Sequence, residues 1–264
     1  MSRVAPDGTS FDLTGPPDAP VVALIHGLGL ARGVWNGLLA GLQTKYRVLN
    51  YDLYGHGHSA PSAQTTSLTV YSDQLAGLMD HLAIQRGSVI GFSIGDMINR
   101  RFAMDHGARV QSLVILNSPH ARGANAQQAV EARALAARDQ GAFATFDAAL
   151  ERWFTPAALA VGGSAPARVR EWRVQCDAQS YEQAAWVLAH GVRELTTPAR
   201  PINAPTLVMT CENDSGSTPA MSNAITVEIP GARTNIVPHL RHLGMMEDPS
   251  AFGGPILQFL EGLD

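Results

Sequence analysis

The chain has 264 residues, of which 45% are apolar and 16% are charged, with 25 glycines and 16 prolines spread along it. This length and composition predict a folded domain with a substantial core and argue against extensive disorder. The formal charge of −4 leaves no basic stripe that could follow a phosphate backbone, so we expect no nucleic-acid partner.

The sequence also predicts the cellular location and the chemical state of the two cysteines. The N-terminus has no apolar signal-peptide core, and no apolar run reaches the roughly 18 residues that a membrane span needs, so we expect a cytoplasmic protein with no membrane partner. Cys176 and Cys211 lie far apart without C-x-x-C spacing. We therefore expect reduced thiols and no structural zinc.

Short runs of Val, Ile and Leu alternate with longer segments of helical periodicity along most of the chain. This order predicts an α/β fold with a mostly parallel central sheet flanked by helices. Strands are predicted at 21–26, 47–52, 88–92, 110–117, 205–210 and 234–237. Helices are predicted at about 34–42, 68–82, 94–106 and 250–260.

One region interrupts the alternation. Residues 120–200 are rich in alanine and helical in pattern, without a convincing strand, and we interpret them as a helical lid inserted into a core domain of residues 1–119 and 201–264. Trp153, Trp172 and Trp186 lie in this insertion, where they could form its own core or line an apolar pocket. The stretch VGGSAPA at 161–167 predicts a mobile loop.

Ser93 is the candidate nucleophile. It lies in GFSIGD at 91–96, where a predicted strand ends and a predicted helix begins. Glycines on both sides allow the sharp bend of a nucleophile elbow, and the helix N-terminus directs N–H groups toward charge that develops on a substrate oxygen. The same five-residue pattern also occurs by chance in ordinary turns, so the strand-to-helix context carries this prediction.

A serine hydroxyl needs a base within hydrogen-bond reach, and the base needs a group that fixes its tautomer. Asp214 follows the strand-like stretch PTLVMTC and is the candidate acid, although an Asx turn is an alternative role. The segment VPHLRHLGMMEDP offers His239 and His242 as bases after the last predicted strand. The order serine, acid, histidine is the one expected for this chemistry.

Four separated motifs together resemble the α/β-hydrolase family over nearly the whole chain. HGLG at 26–29 is similar to the family's oxyanion loop, DLYGHGHS at 52–59 to its D-x-x-G-x-G-x-S loop, GFSIG at 91–95 to its elbow and HLGMMEDP at 242–249 to its terminal stretch. In that terminal pattern the catalytic histidine stands five residues before the glutamate. Counting back from Glu247 therefore selects His242 over His239.

Within the family, LERWFTP and the later RPINAPTLVMTCENDSGSTP look most like 3-oxoadipate enol-lactonases. This resemblance implies hydrolysis of a small-molecule lactone or ester without a metal or organic cofactor. Two positions depart from the pattern. Asp96 stands where the family usually has glycine after the elbow, and Cys211 also replaces a glycine. The negative charge of Asp96 could interact favourably with the N-terminus of its helix. Alternatively, Asp96 could contact a lid arginine or a polar group of the substrate.

The expected mechanism is attack by Ser93, proton transfer through His242 and orientation of the imidazole by Asp214. The resemblance implies an oxyanion hole built from the backbone N–H groups of Leu28 and Ile94. The substrate pocket is expected to include residues of the oxyanion loop and of the lid: His26, Gly27, Arg152, Trp153 and Trp186.

Arg152 is a candidate for binding a substrate carboxylate, but an ion pair within the lid or a solvated position is the alternative. A C–C bond hydrolase, a cofactor-free lyase and a non-catalytic ligand-binding protein remain alternative functions, because the fold alone does not define the reaction. Assembly into a homo-oligomer stays open.

Overall fold

The computed structural model describes residues 3–160, 163–198 and 200–263. In this part of the chain eight strands form one sheet in the order β1-β2-β4-β3-β5-β6-β7-β8. The pairings β1–β2 and β2–β4 are antiparallel, and the other five pairings are parallel. The strands are β1 Arg3–Val4, β2 Ser10–Thr14, β3 Val21–Ile25, β4 Arg47–Tyr51, β5 Gly87–Phe92, β6 Val110–Leu116, β7 Thr206–Cys211 and β8 Arg233–Val237.

Twelve α-helices are formed by the described residues. None of these helices combines the length and apolar character required to cross a membrane. They are α1 Asn36–Leu42, α2 Leu68–His81, α3 Ile94–Asp105, α4 Ala124–Gln140, α5 Phe146–Trp153, α6 Pro156–Ala160, α7 Ser164–Gln175, α8 Ala178–His190, α9 Val192–Thr196, α10 Pro219–Glu228, α11 Gly244–Glu247 and α12 Ser250–Glu261.

Both faces of the sheet are covered, as the nearly continuous apolar strands predict. In β3, Val22 and Leu24 face a cluster that includes α1 and α12, whereas Ala23 and Ile25 face a cluster that includes α2 and α3. Successive strand residues point to opposite faces, so a strand buried on both sides must be apolar throughout. The predicted α/β fold, with a mostly parallel central sheet flanked by helices, is confirmed.

The six predicted strands and four predicted helices are present, with ends that differ by a residue or two. The antiparallel strands β1 and β2 escaped prediction because β2 reads SFDLT, a short stretch with two polar residues and an acid. The predicted loop at 161–167 is wrong in part. Residues 161 and 162 lie outside the described residues, but α7 begins at Ser164, since Pro166 in its first turn is compatible with a helix.

The parallel strands end at one edge of the sheet, and this edge collects the candidate functional residues. Ser93 follows β5, Asn117 follows β6, Asp214 lies three residues after β7 and His242 lies five residues after β8. Helices α4 to α9 occupy the chain between β6 and β7. In open parallel sheets, ligands bind outside this carboxyl edge.

Candidate active site

Ser93 occupies a strained bend between β5 and α3. Its φ of 59° and ψ of −115° lie in a region that residues with a side chain rarely adopt. A Cβ on Gly91 would stand 2.3 Å from the carbonyl oxygen of Gly95, and one on Gly95 would stand 2.2 Å from that of Ile25. Both glycines are therefore required by the close backbone contacts of the bend.

Asp214 is buried in a turn, and both oxygens of its carboxylate accept hydrogen bonds. The N–H groups of Gly216 and Ser217 each donate to Oδ1 at 2.9 Å. Oδ2 accepts from Nδ2 of Asn117 at 2.8 Å and from Nδ1 of His242 at 2.6 Å. Burial opposes ionisation, but the charge and hydrogen bond of His242 and the donors of Asn117 and Ser217 outweigh it and lower the pKa of Asp214.

His242 is held against Asp214 by its ring packing and by the chain that follows it. Its ring centroid lies 4.9 Å from that of Phe92 and 6.3 Å from that of Trp153. The N–H of Leu243 donates to the carbonyl oxygen of Trp153 at 2.9 Å. Glu247 accepts from the hydroxyl of Thr155 at 2.5 Å. The terminal motif thus anchors the histidine loop to the end of α5.

The second candidate base is placed differently. The side chain of His239 is 90% exposed, and its Nδ1 lies 3.6 Å from Oε2 of Glu212. His239 has a φ of 64°, and its own N–H donates to the same carboxylate at 2.9 Å. It lies at the surface of the loop, whereas His242 is the histidine that contacts Asp214.

Ser93, Asp214 and His242 line one cavity of about 130 Å³. Gly27 and Leu28 of the HGLG loop at 26–29 form another part of its wall, as do Phe92 and Leu30. The helices α4, α5 and α8 contribute side chains that include Val130, Trp153 and Tyr181. The cavity therefore combines an apolar wall with the polar residues at the sheet edge.

Three arginines also line this cavity, namely Arg122, Arg133 and Arg152. Burial lowers the pKa of all three, and Arg133 further lowers the pKa of Arg122, which falls to about 10. Arg122 and Arg152 donate to backbone carbonyls of Leu188 and Ala148. Among the described residues, none of the three forms a salt bridge with a carboxylate. The part of the cavity wall that these three arginines form is therefore positively charged.

The expectation that His26 lines the pocket is wrong. This side chain is fully buried, with Nδ1 2.8 Å from the carbonyl oxygen of Gly27 and Nε2 accepting from the N–H of Leu53 at 2.9 Å. Burial lowers the pKa of His26 to about 4, so the ring is neutral. His26 joins the HGLG loop to the loop after β4, whereas Gly27 and Leu28 line the cavity.

The tryptophans also divide between two roles. Trp153 lines the cavity, but the expectation for Trp186 is wrong because its side chain is 49% exposed and packs on His190 with tilted rings whose centroids are 4.1 Å apart. Trp172 is buried and meets Gly33, where an added Cβ would stand 2.8 Å from its ring. The sequence around the three tryptophans does not distinguish their positions, which depend on packing in the folded protein.

In the DLYGHGHS loop, Asp52 accepts hydrogen bonds that hold the loop in place. Asp52 accepts from the N–H of Arg32 at 2.7 Å and from its guanidinium at 2.5 Å. The N–H of His58 also donates to Asp52, at 3.1 Å, and the hydroxyl of Ser59 donates to the carbonyl oxygen of Asp52 at 2.7 Å. These hydrogen bonds hold the loop together and join it to Arg32, which follows the HGLG loop.

Asp96 is fully buried and faces Arg100 of the same helix, with Oδ2 3.4 Å from Nη2. Arg100 donates to the hydroxyl of Ser118 at 2.8 Å and to the carbonyl oxygen of Pro119 at 3.0 Å. Burial outweighs the charge of Arg100 and raises the pKa of Asp96 to about 6. Asp96 therefore pairs with an arginine of its own helix rather than one in the insertion.

Four residues of this site are absent from the sequence-based prediction, namely Asn117, Arg122, Arg133 and Tyr181. Asn117 directly follows the apolar run LVIL that ends β6, and a polar residue at the carboxyl end of a parallel strand is a usable signal. Arg122, Arg133 and Tyr181 carry no such signal, because their helices α4 and α8 and the preceding loop could present any face to the core.

Within the described residues, no three His, Cys, Asp or Glu side chains come together as metal ligands would.

A family model described as the alpha/beta hydrolase family matches residues 22–253, and the chain belongs to that family. The chain is 26% identical over 238 residues to 3-oxoadipate enol-lactonase 2 of Acinetobacter baylyi, covering 90% of this chain and 87% of that protein. The predicted resemblance to this family and to its enol-lactonases is thereby confirmed.

Solved structures agree with this assignment. The enol-lactonase of Burkholderia xenovorans LB400 matches with a TM-score of 0.88 at 28% identity, over 99% of this chain and 100% of that one. A hydrolase from Pseudomonas aeruginosa PA01 matches with a TM-score of 0.88 at 25% identity, over 98% and 97% of the two chains. The similarity therefore extends over the whole fold and not only over its motifs.

Proposed function

We propose that the protein is a serine hydrolase that cleaves a carboxylic ester or lactone through an acyl-enzyme. One observation carries this proposal: the hydrogen-bonded pair of Asp214 and His242 opens into the same cavity as Ser93, which stands on a strained bend. A nucleophile, a base and a group that orients the base are the three parts that such chemistry needs.

In the proposed reaction, Oγ of Ser93 attacks the carbonyl carbon while Nε2 of His242 takes its proton. The tetrahedral intermediate then expels the alkoxide or enolate, which receives the proton from His242. A water molecule, deprotonated by the same nitrogen, attacks the acyl-enzyme and releases the carboxylic acid and free Ser93. Ionised Asp214 orients the imidazole and stabilises the imidazolium that forms in each half-reaction.

The backbone N–H groups of Leu28 and Ile94 are the proposed oxyanion hole. Leu28 lies in the cavity wall, and Ile94 is the first residue of α3, where the N–H groups have no acceptor within the helix. The positive end of that helix also favours negative charge on the substrate oxygen. Loss of one such donor typically raises the barrier by about 3 to 4 kcal/mol.

We also propose that residues 120–200 form a cap on a core of residues 1–119 and 201–264. The support is the contribution of α4, α5 and α8 to the cavity, through residues such as Arg133, Trp153 and Tyr181. A cap of this kind would exclude water and select the substrate by shape and charge.

The arginines in the cavity wall support the inference that the substrate carries a carboxylate beside its ester or lactone group. Three partly buried cations without a carboxylate partner among the described residues would gain from an anionic ligand. The chain's likeness to proteins named 3-oxoadipate enol-lactonase points to the same substrate class.

The experiment is a hydrolysis screen of the purified protein and its Ser93→Ala variant. The panel holds carboxylate-bearing enol-lactones, saturated lactones, short and long acyl esters, and vinylogous diketones that report C–C cleavage. We expect turnover of the small anionic lactones or esters that disappears in Ser93→Ala. Turnover confined to the diketones would replace ester hydrolysis by C–C hydrolysis, and no turnover of any member would contradict the proposal.

A further inference from the structure

Asn117 is a buried side chain at the catalytic edge to which the proposed mechanism gives no role. It follows the last residue of β6, is fully buried and has a φ of 50°, in the left-handed region. Its N–H donates to the carbonyl oxygen of Met209 in β7 at 2.8 Å. The backbone of Asn117 is therefore fixed between two parallel strands, and its side chain has one defined direction.

That direction brings the amide to the proposed catalytic acid. Nδ2 of Asn117 donates to Oδ2 of Asp214 at 2.8 Å, on the same oxygen that accepts from His242. A carboxylate can only accept, so the end of the amide that faces it must be the NH₂ group. The second contact of this group is Oγ1 of Thr210 at 3.3 Å.

The four donors to Asp214 match its capacity, which is about two hydrogen bonds per oxygen. The N–H groups of Gly216 and Ser217 serve Oδ1, while His242 and Asn117 serve Oδ2. Thr210 braces the same turn, because its hydroxyl donates to the carbonyl oxygen of Ser217 at 2.6 Å. Among the described residues, His242 and Asn117 are the two side chains that bond this carboxylate.

We propose that Asn117 is a positioning residue for the hydrolytic reaction: its NH₂ group keeps Asp214 ionised and fixes the angle at which Oδ2 meets Nδ1 of His242. This inference rests on the proposed function, since it assigns a task within the Ser93–His242–Asp214 arrangement. A proton on Oδ2 would meet two donors, so the filled carboxylate resists protonation. The imidazole then keeps Nδ1–H toward Asp214 and presents Nε2 to Ser93.

The surrounding groups do not supply this function in another way. The thiol of Cys211 is the further titratable group near Asn117, and burial raises its pKa to about 12, so it is neutral where the enzyme would work. Asp96 and Arg100 bond the next segment of the β6 exit, at Ser118 and Pro119. Asn117 alone joins that exit to the acid through a side chain within the described residues.

Asn99 provides a matched control for the test. It is also a fully buried asparagine packed on β6, and its Nδ2 donates to the carbonyl oxygen of Val114 at 3.0 Å without touching Asp214. Asn117→Ala and Asn99→Ala each remove one buried amide donor beside the same strand. Both should lower the melting temperature, so a loss of stability by itself does not distinguish them.

Activity and spectroscopy distinguish the two asparagines. We expect Asn117→Ala to lower kcat by about tenfold or more with KM within about twofold, since the base loses its orientation and not its substrate. The low-field proton resonance of the His242 Nδ1–H bond should shift or broaden in Asn117→Ala. Asn99→Ala should keep both kcat and this resonance. Similar behaviour of the two variants would overturn the inference.

Asn117→Asp and Asn99→Asp keep the side-chain shape and cover the case in which the alanine variant does not fold. A carboxylate at 117 would face Oδ2 of Asp214, and because two carboxylates about 3 Å apart cannot both ionise, the pair should hold a shared proton. That proton should weaken the bond from Oδ2 to His242, so Asn117→Asp should lower kcat and shift the low-field resonance of His242, whereas Asn99→Asp should keep this resonance. An unchanged resonance in Asn117→Asp would contradict the assigned position.

The outcomes also separate this inference from the proposed function. Turnover that survives in Ser93→Ala would refute the serine mechanism itself. If Ser93→Ala is inactive while the Asn117 variants behave like the Asn99 variants, only the role of Asn117 fails. The proton resonance of His242 needs no substrate, so it tests the hydrogen-bond geometry even before a substrate is known.

Discussion

Nδ1 of His242 lies 2.6 Å from Oδ2 of Asp214, and His239, three residues earlier, is 90% exposed. His242→Ala should therefore lower kcat by at least about a thousandfold, because a serine triad acts as a unit. His239→Ala should stay within about threefold of the wild type. Steady-state rates of the two variants check this pair of expectations, and the reverse order of effects would contradict the assignment of the base.

Arg152 offers a test of the charged wall of the cavity. On a lactone with a carboxylate, Arg152→Ala should lower kcat/KM by about tenfold or more, whereas the neutral carboxamide analogue should be affected much less. Arg168→Ala is the control, because this exposed residue pairs with Glu171 on the outer side of α7. Equal losses on the two substrates would exclude Arg152 as an acid-recognising residue.

The elbow glycine predicts a severe steric effect. A methyl group on Gly95 would collide with the carbonyl oxygens of Ile25 and His26, at 2.2 and 2.5 Å. Gly95→Ala should lower the free energy of unfolding by about 3 kcal/mol and abolish turnover. Gly254 in α12 has no atom within 4 Å of such a methyl group, so Gly254→Ala should stabilise the protein by up to about 1 kcal/mol. Denaturant unfolding of both variants measures the contrast.

Asp96 predicts a pH dependence of stability. Because burial raises its pKa to about 6 in the folded protein, Asp96 keeps its proton between about pH 4 and 6 while the unfolded chain has lost it. The free energy of unfolding therefore falls as pH rises through this window. Relative to Asp96→Asn, which cannot ionise, the wild type should lose about 1 to 3 kcal/mol between pH 4 and 7. Parallel pH curves for the two proteins would show that Asp96 ionises normally.

The sequence predicted the parts of the fold and site that depend on local pattern. Central strands that are buried on both faces appear as continuous apolar runs. The bend at Ser93 requires glycine at positions 91 and 95 because of close backbone contacts, so its motif can be recognised in the sequence. His242 was separable from His239 only through the motif count from Glu247, and its hydrogen bond to Asp214 follows from the folded geometry.

The remainder depends on contacts between distant segments. Arg122 and Arg133 reach the cavity because of how α4 and the loop before it lie over the sheet edge, and no periodicity marks that orientation. His26 and Trp186 were misplaced for the same reason. A histidine after a strand can face inward to Leu53, and a tryptophan in a helix can remain at the surface beside His190.

Covalent labelling of Ser93 tests the central claim most directly. A fluorophosphonate reacts with a serine that a neighbouring base activates, so intact-mass analysis should find one adduct and peptide mapping should locate it at Ser93. Ser93→Ala should remain unlabelled, and His242→Ala should react far more slowly although its serine is intact. An unlabelled wild-type protein, or an adduct at another residue, would contradict the assignment of Ser93 as an activated nucleophile.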